Sequence, residues 1–213
     1  TGHLLEEVEE LVEEAVEHGT TLAPALGAGG VFALGFALGL LGLVYFERRY
    51  LGTAKDQEGI TPKRKAQRLS MMIAVGLGLH NLSEGLAIGQ GYVGGAVQLA
   101  WLMAIGFALH NATEGFGIAA PLSGHRVSWR FLMLTALVAG GPTFLGTLIG
   151  GVWVNESVET FCLALASGTI LYIVGELLHL GRQLKEEAVV GIGLLIGFFV
   201  AMATEFVLIA SKA

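Results

Sequence analysis

The fold is decided by a hexapeptide that occurs twice, as His80-Asn81-Leu82-Ser83-Glu84-Gly85 and again as His110-Asn111-Ala112-Thr113-Glu114-Gly115. The two copies are offset by 30 residues, and each lies in the middle of an apolar segment of membrane-spanning length. A carboxylate in hydrocarbon is costly and is rarely kept without a partner or a task. Two such carboxylates, each four residues after a histidine, indicate that a cation binds or passes there.

The composition is that of an integral membrane protein. Of the 213 residues, 54% are hydrophobic and 14% are charged, whereas soluble domains average about 25% charged residues. Glycine is frequent and recurs at four-residue spacing in Gly35-x-x-x-Gly39, Gly85-x-x-x-Gly89 and Gly146-x-x-x-Gly150, which predicts close packing of membrane helices. A lipid bilayer is the expected surrounding, and no nucleic-acid partner is expected.

Apolar length predicts the architecture. Because about 20 residues cross the hydrocarbon core, we expect an all-α, polytopic transmembrane helix bundle in a single domain over residues 1–213. Its six spans are predicted at 22–46, 69–93, 96–121, 131–153, 159–181 and 188–211. Residues 1–20 predict an acidic helix outside the membrane, either a solvated surface helix or a collar that concentrates cations. Residues 47–68 predict a cytoplasmic loop.

Basic residues predict the orientation. If the six spans alternate in direction, 11 of the 12 Lys and Arg residues fall on one side of the membrane, and Lys212 falls on the other. Loops rich in Lys and Arg stay in the cytoplasm, so loop 47–68 is expected there and both termini are expected to be extracytoplasmic. We therefore predict a multi-pass protein of the cell (inner) membrane.

The two hexapeptides predict a metal site. Residues four apart share a helix face, so each histidine stacks with the glutamate of its own copy, and the asparagines can contribute to the same wall. Antiparallel neighbouring spans relate the copies by a pseudo-two-fold axis, as in the inverted repeats of transporters. Imidazoles with carboxylates suit Zn²⁺, Fe²⁺, Mn²⁺ or Co²⁺ better than Ca²⁺ or Mg²⁺. A buried hydrogen-bonded network is the alternative. The candidate ligands are His80, Glu84, His110, Glu114, Asn81 and Asn111.

The paired motifs resemble the fourth and fifth transmembrane helices of the ZIP (Zrt/Irt-like) divalent metal transporters, especially the bacterial members. The similarity extends to Gly85-Leu86-Ala87-Ile88-Gly89, to Ala120-Pro121-Leu122 and to Gly175-Glu176-Leu177-Leu178. ZIP proteins usually have eight helices, so the resemblance implies that the six spans correspond to the third to eighth. It also implies that residues 4–17 correspond to the outer end of the second helix.

Four positions depart from the family's pattern. Many relatives have Pro before the motif's Glu, where this chain has Ser83 and Thr113. A hydroxyl can bond back to the preceding turn and bends the helix less than Pro would. Relatives with two adjacent metals often have an acid at the position of Asn111 and a Glu on the next helix, at the position of Thr143. Because both charges are missing here, we expect one bound ion.

The resemblance implies a transporter rather than an enzyme, moving a divalent transition metal toward the cytoplasm by alternating access. The metal is the substrate, with zinc first and Fe, Mn, Co or Cd after it, and a homodimer is left open. Glu176 and His179 share a face of the fifth span and form either an exit-side metal contact or a structural pair.

Two alternative functions stay open. An intramembrane metal-dependent hydrolase needs an open metal position and a nearby general base, and this chain has neither a His-Glu-x-x-His motif nor a distinct base. A membrane cytochrome with two axial His ligands accounts for both motif histidines but leaves both glutamates unexplained.

Overall fold

Long helices make up the part of the chain that the computed structural model describes, which is residues 23–50, 59–153, 155–183 and 187–210. The helices are α1 (Ala23–Tyr50), α2 (Pro62–Val93), α3 (Val97–Ala119), α4 (Trp129–Gly150), α5 (Glu156–Gln183) and α6 (Glu187–Ala210), and a turn of 3₁₀ helix (Ala120–Leu122) follows α3. No strand occurs among these residues. Each helix covers one predicted span, which confirms the all-α prediction. The acidic helix predicted for residues 1–20 lies outside the described residues.

The helices on either side of the first loop are longer than predicted. α1 continues to Tyr50, and α2 begins at Pro62, about two turns before the predicted span. The hydroxyl of Thr61 accepts a hydrogen bond from the backbone N–H of Arg64 at 3.4 Å, and Pro occupies the first turn, which is a common helix start. The prediction of a loop over 47–68 is therefore wrong at both ends, because charged side chains end the apolar window without ending the helix.

Four of the described helices are long and apolar enough to cross a membrane, namely Leu26–Tyr50, Pro62–Val93, Trp129–Gly150 and Ser157–Gln183. α3 has 23 residues, which is sufficient length, but its His, Asn and Glu residues lower its mean hydropathy. In α6 the described apolar stretch is Ala188–Val200. The described helices therefore form a polytopic membrane bundle.

α2 and α4 pack in direct backbone contact through glycine. A methyl group on Gly85 would overlap the carbonyl oxygen of Thr143, and one on Gly146 would overlap the carbonyl oxygen of Leu82. The second glycine of each Gly-x-x-x-Gly repeat meets the opposite backbone in the same way. Such close approach stabilises helix pairs in membranes. Because α3 packs mainly against α2, we refer to α2, α3, the 3₁₀ turn and α4 as the motif unit.

α1 and α5 pack by the same device, and we refer to them as the partner pair. A methyl group on Gly35 would lie 2.6 Å from the carbonyl oxygen of Phe161, and one on Gly168 would overlap the carbonyl oxygen of Phe36. The partner pair is therefore a second unit in which the two backbones are in contact.

The interface between the two units is built from side chains instead. Where α2 meets the partner pair, a methyl group on Gly76 would approach the side-chain ends of Ile173 and Leu43 at 2.7 and 2.8 Å. Both residues belong to the buried apolar core, together with Ile73 and Leu77 of α2. Side-chain ends can repack more easily than backbones, so the contact between the two units is easier to rearrange than the contact within either unit.

Candidate metal centre

The two motif copies face each other across α2 and α3. In each copy, the Nε2 atom of the histidine lies 3.5 Å from Oε1 of the glutamate four residues later. The Oε1 atom of Glu114 also lies 3.8 Å from Nε2 of His80 on the other helix. The imidazole rings of His80 and His110 have centroids 6.3 Å apart. The structure thus brings His80, Glu84, His110 and Glu114 together.

Three of these side chains form a tighter set than the fourth. His80, His110 and Glu114 each offer one ligand atom, and the three atoms lie within 4.8 Å of one another. Ligand atoms at zinc bond lengths of about 2.0–2.2 Å in a tetrahedron are roughly 3.4 Å apart, close to the 3.5 and 3.8 Å contacts of Glu114. Among the described residues, Glu84 is outside this set, and its ion pair within 4.0 Å is with His80. The geometry therefore favours a core of three ligands with Glu84 beside it.

Buried oxygen atoms around this set lack hydrogen-bond donors from the described protein. Buried polar atoms are almost always satisfied, so a cluster of such acceptors is complementary to a cation or to water. This agrees with a site for a positive ion. The atoms are Oε2 of Glu84, Oε2 of Glu114, Oδ1 of Asn81, Oδ1 of Asn111 and Oγ1 of Thr143.

The two asparagines have different surroundings. Asn81 is 2% exposed, and its Nδ2 donates a hydrogen bond to the carbonyl oxygen of Ala139 on α4 at 3.0 Å. This bond fixes the amide and ties the first motif copy to α4. Asn111 is half-buried and forms no comparable bond to any described residue. The sequence predicted one wall with equivalent asparagines, whereas the structure makes Asn81 an anchor as well.

The hydroxyl groups before each glutamate bond back to the preceding turn, as the sequence predicted. The hydroxyl of Ser83 donates to the carbonyl oxygen of His80 at 2.7 Å. The hydroxyl of Thr113 donates to the carbonyl oxygen of His110 at 2.6 Å. Both copies therefore remain regular helix, and each histidine stays one turn before its glutamate.

A cavity of about 280 Å³ adjoins the metal centre. At one end it is lined by Asn81, Asn111 and Glu114, and at the other by Leu122 of the 3₁₀ turn and Leu132 near the start of α4. The end of α3 and the start of α4 are on the side that the basic residues predict to be cytoplasmic. The cavity therefore extends from the centre toward the end of the bundle that is predicted to be cytoplasmic.

A second cavity, of about 520 Å³, lies beyond the 3₁₀ turn, and we call it the vestibule. Pro121 of the turn lines the vestibule, while Leu122 lines the cavity at the centre. The turn therefore separates the two spaces. The polar residues that line the vestibule are Glu47, Lys65, Arg68, His125, Glu176 and Gln183.

The candidate pair Glu176 and His179 is divided between two environments. Glu176 lines the vestibule with Glu47, whose carboxylate accepts a hydrogen bond from the hydroxyl of Tyr172. His179 is exposed and pairs with Gln183, with 2.9 Å between their Nε2 atoms. An exit-side metal contact or a structural pair of Glu176 and His179 therefore stays a prediction, and the structure adds Glu47 of α1 as a second carboxylate on the same cavity as Glu176. Sequence reasoning missed Glu47 because it was counted with the loop, although it directly follows an apolar span.

The comparison with protein families agrees with this geometry. A family model described as ZIP Zinc transporter matches residues 3–205. No curated protein and no solved structure matches the chain significantly. The family match covers nearly the whole chain, including both motif copies, the 3₁₀ turn and the acidic residues of the vestibule. The resemblance drawn from the motifs is thereby confirmed, and the chain belongs to the ZIP zinc transporter family, whose members are transporters rather than enzymes.

Proposed function

We propose that this ZIP protein carries a divalent transition metal, zinc first, toward the cytoplasm through a site built by His80, His110 and Glu114 with Glu84. Membership of the family gives metal-ion transport, and the site and the direction are our proposal. The observation that supports it most is that one carboxylate, Glu114, lies 3.5 and 3.8 Å from the imidazole nitrogens of both motif histidines. The metal is substrate, so the site must also release it.

The donor set suits transient binding of a borderline cation. Imidazole nitrogen and carboxylate oxygen are ligands for Zn²⁺, Fe²⁺, Mn²⁺ and Co²⁺, and Cd²⁺ is a further proposed substrate. Two glutamate carboxylates can balance the double charge of the ion, which would lower the cost of placing it at the membrane midplane. The side chain of His110 is 40% exposed, so this ligand is less enclosed by the described helices than Glu114 at 11%.

The proposed direction rests on charge and on the position of the cavities. With 11 of the 12 basic residues on one side, that side is cytoplasmic by the positive-inside rule. The cavity beside the centre extends toward that side, and the vestibule follows it. Glu176 and Glu47 would attract the ion as it leaves. Extracytoplasmic termini, the inner membrane and a homodimer remain predictions.

Alternating access would come from movement of the motif unit against the partner pair. Within each unit, glycines place backbone against backbone, which resists deformation. Between the units, the contact is made by side chains such as Ile173 and Leu43. A shear along this side-chain interface would expose the centre to each side of the membrane in turn.

The alternative functions explain less of the site. The hydrolase interpretation is wrong, because ZIP proteins are transporters rather than enzymes. A haem bound by His80 and His110 gives no role to Glu114, which contacts both imidazoles.

The number of bound ions is a separate part of the proposal. We propose one ion per chain, and we expect Thr143→Glu to favour a second ion by adding a charged ligand. Metal stoichiometry on purified protein under modest zinc excess decides this, and two ions of similar affinity in the unmutated protein would refute it.

Zinc flux in proteoliposomes tests the proposed function. We expect the unmutated protein to take up zinc down its gradient and Glu114→Gln to abolish most of the uptake. Glu159→Gln is a suitable control, because this residue lies on another helix, α5, outside the metal centre. Absence of uptake by the unmutated protein, or equal loss in both variants, would overturn the proposal.

A further inference from the structure

The vestibule has walls of opposite charge, and the two walls belong to different units. The acidic wall is on the partner pair, where Glu47 of α1 and Glu176 of α5 line the cavity. The basic wall is on the motif unit, where Lys65 and Arg68 of α2 line the same cavity. His125, in the loop that follows the 3₁₀ turn, also lies on the side of the motif unit. The division of charge therefore coincides with the division of the bundle.

The acidic wall is held in place. The hydroxyl of Tyr172 on α5 donates to the carboxylate of Glu47 on α1. The same two helices are in backbone contact through Gly35 and Gly168. Because Tyr172 lies one turn before Glu176 on α5, both carboxylates are carried by a pair of helices that moves as one body.

The basic wall is also carried on a rigid element, but its lysine has no partner there. Lys65 lies in the first turn of α2, whose start is fixed by the cap at Thr61 and by Pro62. Its side chain is exposed and forms no ion pair with any residue that the structure describes. The counter-charges that share its cavity are Glu47 and Glu176 on the opposite wall.

We propose that these walls form an electrostatic latch that closes the cytoplasmic side when the motif unit shears against the partner pair. An equilibrium between two conformations is shifted only by interactions that differ between them. In this structure Lys65 lies across the vestibule from Glu47 and Glu176 without an ion pair to either, and closure of the vestibule would bring Lys65 against these two carboxylates. The latch therefore stabilises the cytoplasm-closed state. Its role in transport rests on the proposed function, but its existence does not.

The latch can be tested on metal-free protein in detergent, without transport. In a Cys162→Ser background, a reporter cysteine is placed by Leu180→Cys on the acidic wall, one turn after Glu176. Its rate of reaction with a bulky, water-soluble thiol reagent measures the open fraction. Loss of one ion pair of about 1.4 kcal/mol changes that fraction up to tenfold, so Lys65→Gln should raise the rate by about 3- to 10-fold.

A matched control and a rescue keep the test specific. Lys63→Gln removes a charge from the same exposed helical turn, but Lys63 does not line the vestibule, so the rate should be unchanged. Lys65→Glu should raise the rate further, and Lys65→Glu combined with Glu176→Lys should return it toward the original value. Rescue would show that the faster reaction of Lys65→Glu comes from the charges on the two walls.

The salt dependence of the labelling rate tests the latch without a substitution of a charged residue in either wall. The Debye length is about 3 Å at 1 M salt, so 1 M NaCl should raise the rate of the reporter protein clearly more than that of Lys65→Gln, in which Arg68 is the remaining charge of the basic wall. Equal effects of Lys65→Gln and Lys63→Gln, or no effect of Lys65→Glu, would overturn the latch. Absence of zinc flux in proteoliposomes would instead overturn the proposed function, so the two failures are distinguishable.

Discussion

The two copies of the hexapeptide have nearly the same residues but occupy different environments. In the first copy, Asn81 is 2% and Glu84 is 6% exposed, and Gly85 touches the backbone of α4. In the second copy, His110 is 40% exposed, and a methyl group on Gly115 would meet no atom of another described helix within 4 Å. The first copy therefore packs the bundle and supplies ligands, whereas the second supplies ligands with little packing.

This difference follows from the position of the two helices. α2 is the central helix, in contact with α3, α4, α5 and α1, while α3 packs mainly against α2. The predicted pseudo-two-fold relation places the two motifs at like depth, but it does not make their neighbours equivalent. Paired substitutions at matched positions can therefore separate packing from metal binding.

The largest difference in the free energy of unfolding is expected between substitutions of the glycines that end the two copies. Gly85→Ala places a methyl group against the carbonyl oxygen of Thr143 and forces α2 and α4 apart, which should cost about 3 kcal/mol. Gly115→Ala meets open space and should stabilise the helix by about 0.5–1 kcal/mol. Thermal unfolding of metal-free protein in detergent measures both. A similar loss in the two variants would show that the second copy is also packed.

The two glutamates should give the next largest difference, which is a difference in zinc affinity, and here the second copy is the more sensitive one. Glu114 contacts both imidazoles, whereas Glu84 contacts His80. We expect Glu114→Gln to weaken zinc binding by at least about 100-fold and Glu84→Gln by about tenfold, since groups beside the ligands commonly tune affinity by 10- to 100-fold. Competition with a fluorescent zinc indicator measures the two constants. A larger loss in Glu84→Gln would reverse the assignment of the three-ligand core.

Substitutions of the two asparagines should differ in their effect on the free energy of unfolding. Asn81→Ala removes the bond to Ala139 of α4 and should cost about 1–2 kcal/mol in the metal-free protein. Asn111→Ala removes no bond to a described residue and should change stability by less than about 0.5 kcal/mol. Thermal unfolding without metal compares them, and equal destabilisation would mean that Asn81 does not anchor α2 to α4.

Much of this comparison was predictable from the sequence, and the missing part has a physical cause. The spacing of His and Glu predicts that each pair shares a helix face, and apolar length predicts all six helices. Neither pattern predicts that Asn81 of the first copy is buried while Thr113 of the second copy is exposed. Burial depends on which helices surround α2 and α3. The start of α2 at Pro62 was missed for a related reason, since hydropathy reports membrane contact rather than helix length. Helical spacing places Glu176 near His179 on one helix, but it gives no sign that Glu47 of another helix lines the same cavity as Glu176.

The smallest difference is expected for the hydroxyls that bond back to the motif histidines. Ser83 and Thr113 each donate to a carbonyl oxygen one turn earlier, and such a bond contributes little to helix stability. Each acceptor lies within a continuous α-helix, so losing the hydroxyl does not unfold the turn. We expect Ser83→Ala and Thr113→Val to shift the free energy of unfolding by less than about 0.5 kcal/mol.

Zinc affinity is the more sensitive measurement for this pair. His110 is more exposed than His80, so its orientation depends more on its own turn and less on neighbouring helices. Thr113→Val should therefore weaken binding slightly more than Ser83→Ala does, with both changes within about threefold, or 0.7 kcal/mol. A tenfold loss confined to Ser83→Ala would contradict this order, because it would mean that the buried copy, already fixed by its packing, also needs the back-bond to hold its ligands.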